Sequence, residues 1–135
     1  NKPFIQLIAS PKDISYYTNE KIEEKILSLW PGPLTIIVPL KEDSSKTIAL
    51  RCPNDEWLRK IIELTGFSIY STSVNYSGKE ILSDIFDIVD EFESKVSLIV
   101  DDGNKKDLKA STIISIINGK KTLIRQGELK IDLSK

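Results

Sequence analysis

The run Trp30-Pro31-Gly32-Pro33 constrains this chain more than any other stretch. Two prolines around a glycine cannot continue a helix, and proline cannot donate to a strand ladder. Ahead of the run, Ile22, Ile26 and Leu29 recur at helical spacing, with Asn19 as candidate cap, so a helix is expected to end near Trp30. Behind it, Leu34 to Val38 is apolar and β-branched, which predicts a buried strand ended by Pro39. A helix handed through a tight turn to a buried strand is the start of an α/β fold.

The rest of the chain reads the same way. Phe4 to Ala9 is expected to be a strand stopped by Ser10-Pro11, and Ile48 to Arg51 a second one stopped by Pro53. Asn54 or Asp55 caps a helix over about Glu56 to Thr65, with Trp57, Leu58, Ile61, Ile62 and Leu64 as its apolar stripe and Gly66 as its stop. Phe67 to Ser73 predicts a strand running into the loop Val74-Asn75-Tyr76-Ser77-Gly78. Ser83 or Asp84 caps a further helix through Ile85, Ile88, Val89 and Phe92, followed by a strand over Val96 to Val100 and a turn at Asp101-Asp102-Gly103. Asn104 to Lys109 reads as a loop whose lysines, Lys105, Lys106 and Lys109, are solvated. Thr112 to Ile117 and Lys121 to Arg125 form a hairpin around Asn118-Gly119, and the tail after Gly127 reads as a connector. The fold class that results is α/β, an open twisted mixed sheet with packed helices.

Composition narrows the function. The chain has 135 residues, of which 40% are hydrophobic, enough for one domain with a real core. The net charge of −1 gives no broad basic face for wrapping nucleic acid. With no histidine, imidazole catalysis and His-ligated metal are excluded for these residues. Cys52 is the sole cysteine, so no internal disulfide forms, and no apolar run approaches the roughly 18 residues of a membrane span. A cytoplasmic location is the expectation. Asn1 at the start and the lack of any methionine lead us to expect a piece of a longer chain.

Four places carry chemistry. Thr35 follows Pro-Gly-Pro, which is either a rigid connector or a turn that sets the Thr35 hydroxyl at a pocket edge. Arg51 ends a strand and is either a surface ion-pair partner or a site group. It is one of only three arginines among 19 basic residues, with Arg59, read as solvated on its helix, and Arg125, so a role for its planar fork is suggested. Cys52 has no base to activate it and is read as structural. Ser71-Thr72-Ser73-Val74-Asn75-Tyr76-Ser77-Gly78 offers hydroxyls and loop amides to an anion, or is simply a turn. Hairpin pairing opposes Ser111-Thr112 to Arg125-Gln126-Gly127, so Ser111 and Arg125 are expected to reach one space. Asp101-Asp102 reads as a solvated turn, and no metal cluster, phosphate loop or dinucleotide fingerprint is present.

In their order these segments resemble the YrdC/YciO family. The family's Trp-Pro-Gly-Pro-Leu-Thr run matches Trp30 to Thr35, and its arginine-x-proline matches Arg51-Cys52-Pro53. Its serine-alanine-asparagine-x-serine-glycine loop matches Ser73 to Gly78, its late serine-threonine pair matches Ser111-Thr112, and its closing arginine-x-glycine matches Arg125-Gln126-Gly127. The resemblance spans essentially the whole chain. It implies an open α/β sheet with a deep cavity. It implies synthesis of threonylcarbamoyl-AMP and pyrophosphate from L-threonine, bicarbonate and ATP, with Mg2+ carried on the ATP phosphates. It implies service to tRNA threonylcarbamoyladenosine modification, with tRNA or tRNA-modification proteins as further partners. Thr35, Arg51, Ser73, Asn75, Ser111 and Arg125 would line the ATP and threonine site, with no residue acting as a covalent catalyst. Such chemistry needs positioning and charge neutralisation more than a protein nucleophile.

Two departures accompany the resemblance. Val74 stands where the family has alanine, adding bulk beside the nucleotide pocket. The family's opening Thr-Val-Tyr-Gly-Leu strand and lysine-x-arginine motif are not in the sequence, and Asn1-Lys2-Pro3-Phe4 resembles the stretch just after them. The expectation is therefore one YrdC-like domain over residues 1–135 without its N-terminal portion, with apolar surface that favours oligomerisation. Two other functional readings stand beside the synthase: a non-catalytic nucleotide- or RNA-binding module, and a carbamoyl-transfer domain within a larger protein.

Overall fold

Alternation within Leu34-Thr35-Ile36-Ile37-Val38 decides which side of the sheet becomes core. In the computed structural model, which describes residues 4–104 and 109–134, Leu34, Ile36 and Val38 are fully buried on one face. Leu50, Ile114 and Ile116 from the neighbouring strands join them. Each such side chain contributes about 2 kcal/mol when fully buried.

The strands are β1 Ile5–Leu7, β2 Leu34–Pro39, β3 Thr47–Arg51, β4 Ile69–Ser71, β5 Thr112–Ile117 and β6 Lys120–Arg125. They form one mixed sheet in the order β4-β1-β3-β2-β5-β6. β1 runs parallel to β3 and β2 to β5, while the other three pairings are antiparallel. This is the expected open mixed α/β sheet with packed helices. The helices are α1 Glu24–Leu27, α2 Glu56–Thr65 and α3 Ile85–Phe92, with 3₁₀ turns at Pro11–Tyr16 and Glu93–Lys95.

The chain divides into two compact units: residues 1–71 with 109–135, and residues 72–108. The first holds the sheet. There α2 is capped as expected: the Asp55 carboxylate accepts from Leu58 N–H at 3.0 Å, and Gly66 closes the helix at φ 75°. At the hairpin, Asn118 and Gly119 both take positive φ, the turn that matches strand twist. In the second unit α3 is capped by Asp84, which accepts from Phe86 N–H at 2.9 Å, and Tyr76 packs on Phe92 at 5.3 Å between ring centres.

Several expectations need correction. The helix before Pro31 is a single turn capped at Glu23, not a long helix from Asn19. Glu20 instead turns its carboxylate to the hairpin, accepting from Asn118 and Gly119 N–H at 3.1 and 2.7 Å, so residues 19–23 stay non-helical. The first strand covers only three residues, because a 3₁₀ helix begins at Pro11. The strand expected over Phe67 to Ser73 pairs only at Ile69–Ser71, as far as β1 offers a ladder. Val96 to Val100 is no strand: Leu98 and Val100 are exposed and find no ladder among the described residues. Arg59 is not simply solvated, since its Nε donates to the Ala9 carbonyl at 2.8 Å and ties α2 to the chain after β1. The tail is more than a connector: Leu129, Ile131 and Leu133 pack against the core. Of the expected lysine loop, Lys105 and Lys106 lie outside the described residues.

Candidate functional site

Strand direction gathers the site of the first unit. β3 and β6 run against β2 and β5, so two strand ends lie level with two strand starts. Thr35 pairs with Arg51 across β2 and β3, and with Ile113 across β2 and β5. Ile113 in turn pairs with Arg125. Ser111 immediately precedes β5.

The Pro-Gly-Pro turn is the anchor of this end of the sheet. Gly32 N–H donates to the Cys52 carbonyl at 2.9 Å, and Thr112 N–H donates to the Pro33 carbonyl at 2.9 Å. The Gly32 carbonyl accepts Arg51 Nε at 3.2 Å. Trp30 Nε1 donates to the Leu34 carbonyl at 2.6 Å, and the Trp30–Pro31 peptide is cis. A Cβ on Gly32 would lie 2.5 Å from the Leu29 carbonyl oxygen, so only glycine fits. The turn is thus both a rigid connector and the support of Thr35.

Thr35, Ser111 and Arg125 form one hydrogen-bonded chain. The Thr35 and Ser111 hydroxyls lie 2.8 Å apart. Arg125 Nε and one terminal nitrogen donate to the Ser111 carbonyl at 3.1 and 2.8 Å, and that nitrogen also approaches the Ser111 hydroxyl at 3.3 Å. Thr35 and Ser111 are fully buried or nearly so, whereas Arg51 and Arg125 are only half-buried. Backbone carbonyls hold both arginines, Gly32 for Arg51 and Ser111 for Arg125, and the Ser111 hydroxyl adds a longer contact to Arg125 alone. Among the described residues, the second terminal nitrogen of Arg125 and both of Arg51 donate no hydrogen bond. Guanidinium N–H groups of this kind are the donors best matched to phosphate or carboxylate oxygens. Burial lowers the proton affinity of the Arg51 guanidinium, and the nearby Glu128 charge opposes that.

Ser73 and Asn75 lie in the second unit. Ser73 donates to the Asn75 side-chain oxygen at 2.6 Å, while the Asn75 amide donates to the Tyr76 and Lys79 carbonyls at 3.0 and 2.9 Å. Asn75 clips its own loop. Beside it is a cleft of about 740 Å³, lined by Val74, Ile81, Leu82, Ile88 and Phe92 with Ser73 and Asn75 on its polar side.

Cys52 is buried, and burial pushes its thiol up, with Asp13 adding to the effect and Arg59 opposing it. It is a core side chain and no ready nucleophile. Asp101 accepts from Gly103 N–H at 2.9 Å, the local turn expected of it. Sequence reasoning does not reach the side chain of Thr112 or the backbone of Gly127. Thr112 is fully buried, and a Cβ on Gly127 would lie 2.3 Å from the Ala110 carbonyl oxygen. Both stand in recognised motifs, but only the fold shows that they touch. The nearness of Glu128 to Arg51 has no sequence signal at all.

The sheet end thus carries two half-buried arginines, Arg51 on the Gly32 carbonyl and Arg125 on Ser111, in an open mixed α/β fold. The family model for Sua5, YciO and YrdC proteins, described as telomere recombination, matches residues 1–127. The chain belongs to this family. The threonylcarbamoyl-AMP synthase of Pyrococcus abyssi is 30% identical to it over 142 aligned positions, covering 98% of this chain and 42% of that protein. The structure of P. abyssi Sua5 complexed with L-threonine superposes with a TM-score of 0.79 at 31% identity, over 93% of this chain and 40% of that one. E. coli YciO superposes with a TM-score of 0.74 at 26% identity, over 93% of this chain and 66% of that one. The chain thus spans less than two thirds of these relatives. Among the described residues, no helix is long and apolar enough to cross a membrane.

Proposed function

We propose that this chain is part of an L-threonylcarbamoyladenylate synthase, a nucleotidyltransferase serving tRNA threonylcarbamoyladenosine modification. The observation that carries the reading is Arg125, latched to Ser111 and Thr35 with a terminal nitrogen left to donate, in a family whose P. abyssi member is solved with L-threonine. In the reaction, the threonine amine and bicarbonate combine with loss of water to a carbamate. A carbamate oxygen then bonds to the α-phosphorus of ATP as the bond to pyrophosphate breaks. Negative charge gathers on the phosphoryl oxygens, and fixed guanidinium donors meet it without reorganising.

In this reading Arg51 and Arg125 bind carboxylate and phosphate oxygens, with Thr35 and Ser111 holding Arg125 in place. Taken by itself, the cleft of the second unit, apolar with Ser73 and Asn75 in its lining, suits a flat apolar group. Val74 lines that cleft and narrows it relative to alanine. The groups gathered around the arginines are guanidinium and hydroxyl donors, a set that meets phosphate oxygens better than a cation. Magnesium would therefore arrive on the nucleotide as part of the substrate.

The test is pyrophosphate release from ATP by the full-length protein. Release that requires both L-threonine and bicarbonate is expected. A folded protein that binds ATP but releases no pyrophosphate under those conditions is a binding module instead.

A further inference from the structure

The chain beyond β6 folds back over the start of β5, where a buried hydroxyl binds it at two points. Thr112 Oγ1 accepts from Gly127 N–H at 3.0 Å and donates to the Leu129 carbonyl. Glu128 N–H donates to the Ala110 carbonyl at 2.9 Å, and Gln126 Nε2 donates to the Gly127 and Leu129 carbonyls at 3.1 and 2.8 Å. Gly127 approaches Ala110 and Ser111 so closely that no side chain fits between them. Gly127 lies two residues after Arg125, and Thr112 one residue after Ser111, the residue that Arg125 grips.

We propose that Thr112 is a positioning residue that sets the aim of Arg125. Its hydroxyl fixes the backbone of Gly127 against β5. That hydrogen bond closes a short loop of covalent and hydrogen bonds: Ser111, Thr112, Gly127, Gln126, Arg125 and back to Ser111. With the loop closed, the Arg125 side chain has one low-energy path to the Ser111 carbonyl, and its spare nitrogen points one way. Without the hydroxyl, the Gly127 N–H loses its acceptor, and the end of β6 is restrained only by the Glu128–Ala110 bond and the packing of the tail. Preorganised aim matters because a small displacement of a charged donor loses much of its effect on a bound anion. The catalytic consequence rests on the synthase reading; the structural coupling does not.

The test compares Thr112→Val, which keeps the shape and loses the hydroxyl, with Thr112→Ser, which keeps the hydroxyl, both in the full-length protein. The first readout is the Nε–H resonance of Arg125 in a 15N spectrum, assigned by its loss in Arg125→Lys. It is expected to shift or broaden in Thr112→Val and to return in Thr112→Ser, with the Arg51 and Arg59 resonances unmoved. An Arg125 resonance unchanged in Thr112→Val overturns the proposal. The second readout is pyrophosphate release, where kcat is expected to fall about tenfold in the valine variant with KM for L-threonine within about twofold, and to recover with serine. Equal kcat in wild type and valine variant, with only a lower melting temperature, would mean a merely structural threonine. A wild type that releases no pyrophosphate sinks the synthase reading and leaves the resonance to decide on Thr112. If Thr112→Val does not fold, hydrogen exchange in the wild type decides. Gly127 N–H and Arg125 Nε–H are expected to open together across mild denaturant, and a Gly127 amide that opens independently overturns the coupling.

Discussion

The sheet end and the Asn75 loop hold polar groups in opposite ways. At the sheet end, each arginine spends its Nε on a backbone carbonyl; Arg51 keeps both terminal nitrogens and Arg125 keeps one. In the loop, Asn75 spends its amide donors on Tyr76 and Lys79 and accepts from Ser73. In the synthase reading the first arrangement has donors to offer a phosphate or carboxylate without breaking internal bonds. The second satisfies itself, and in the same reading would have to exchange internal bonds for ligand bonds. The comparison teaches that matching a family motif does not by itself say which residues are preorganised.

The largest effects should fall on the preorganised side. Arg125→Ala is expected to lower kcat/KM for pyrophosphate release at least about 100-fold, the scale of removing a charge-assisted hydrogen bond from the transition state. Arg125→Lys should recover little, because an ammonium cannot grip the Ser111 carbonyl and a substrate oxygen in one plane. Asn75→Ala should lose only about tenfold, the scale of one neutral hydrogen bond partly offset by freeing the loop. Steady-state kinetics on the three variants would collapse the distinction if Asn75→Ala proved as damaging as Arg125→Ala.

Stability should divide along the same line. Gly127→Ala forces a methyl into backbone atoms and is expected to cost about 3 kcal/mol in urea unfolding. Thr35→Val keeps the volume but takes a partner from the buried Ser111 hydroxyl, for about 1 kcal/mol. Asn75→Ala should change the unfolding of the sheet by less than about 0.5 kcal/mol, since its bonds are local and exposed. A larger change followed by the fluorescence of Trp30 would show that the sheet depends on the Asn75 clip.

Much of the fold is readable in the chain because the decisive signals are local. Pro-Gly-Pro, the Asp55 and Asp84 caps, Gly66 and Asn118-Gly119 each act on a few neighbouring residues, and each sits where its chemistry requires. The meeting of Ser111 with Arg125 is readable too, because a hairpin register is set by its turn. What stays hidden depends on distant partners. Glu20 leaves its expected helix for backbone amides of the hairpin, far along the chain. Arg59 finds Ala9, and the apolar tail finds the core. Val96 to Val100 has strand composition but no neighbouring ladder, and propensity carries no information about that.

The smallest effects concern pH, and the two regions should respond with opposite signs. In the sheet unit three carboxyls are held below their ordinary values. Hydrogen bonds from Lys121 and then Lys25 do this for Glu23, Ser45 does it for Asp43, and Ser134 for Asp132. A carboxyl whose folded value is depressed stabilises the fold above its unfolded value and loses that contribution as pH falls through the folded one. In the second unit Lys95 is raised, first by the neighbouring Tyr76 side chain; its ammonium lies 5.3 Å from the Tyr76 ring centre and donates to the Glu91 carbonyl at 2.8 Å. A raised lysine contributes fully below its unfolded value and loses that contribution as pH rises through the folded one. All four groups are at the surface, so each effect is small and salt-sensitive. Isoleucine methyl spectra would follow Ile114 in the sheet and Ile88 in the second unit through a pH series in mild urea. Acid should loosen Ile114 first and base should loosen Ile88 first. Glu23→Gln should blunt the acid limb alone, and Lys95→Gln the base limb alone. If both methyls respond at the same pH in both limbs, the two regions unfold as one body, and the contrast between a preorganised sheet end and a self-satisfied loop becomes one of hydrogen bonding rather than of independent stability.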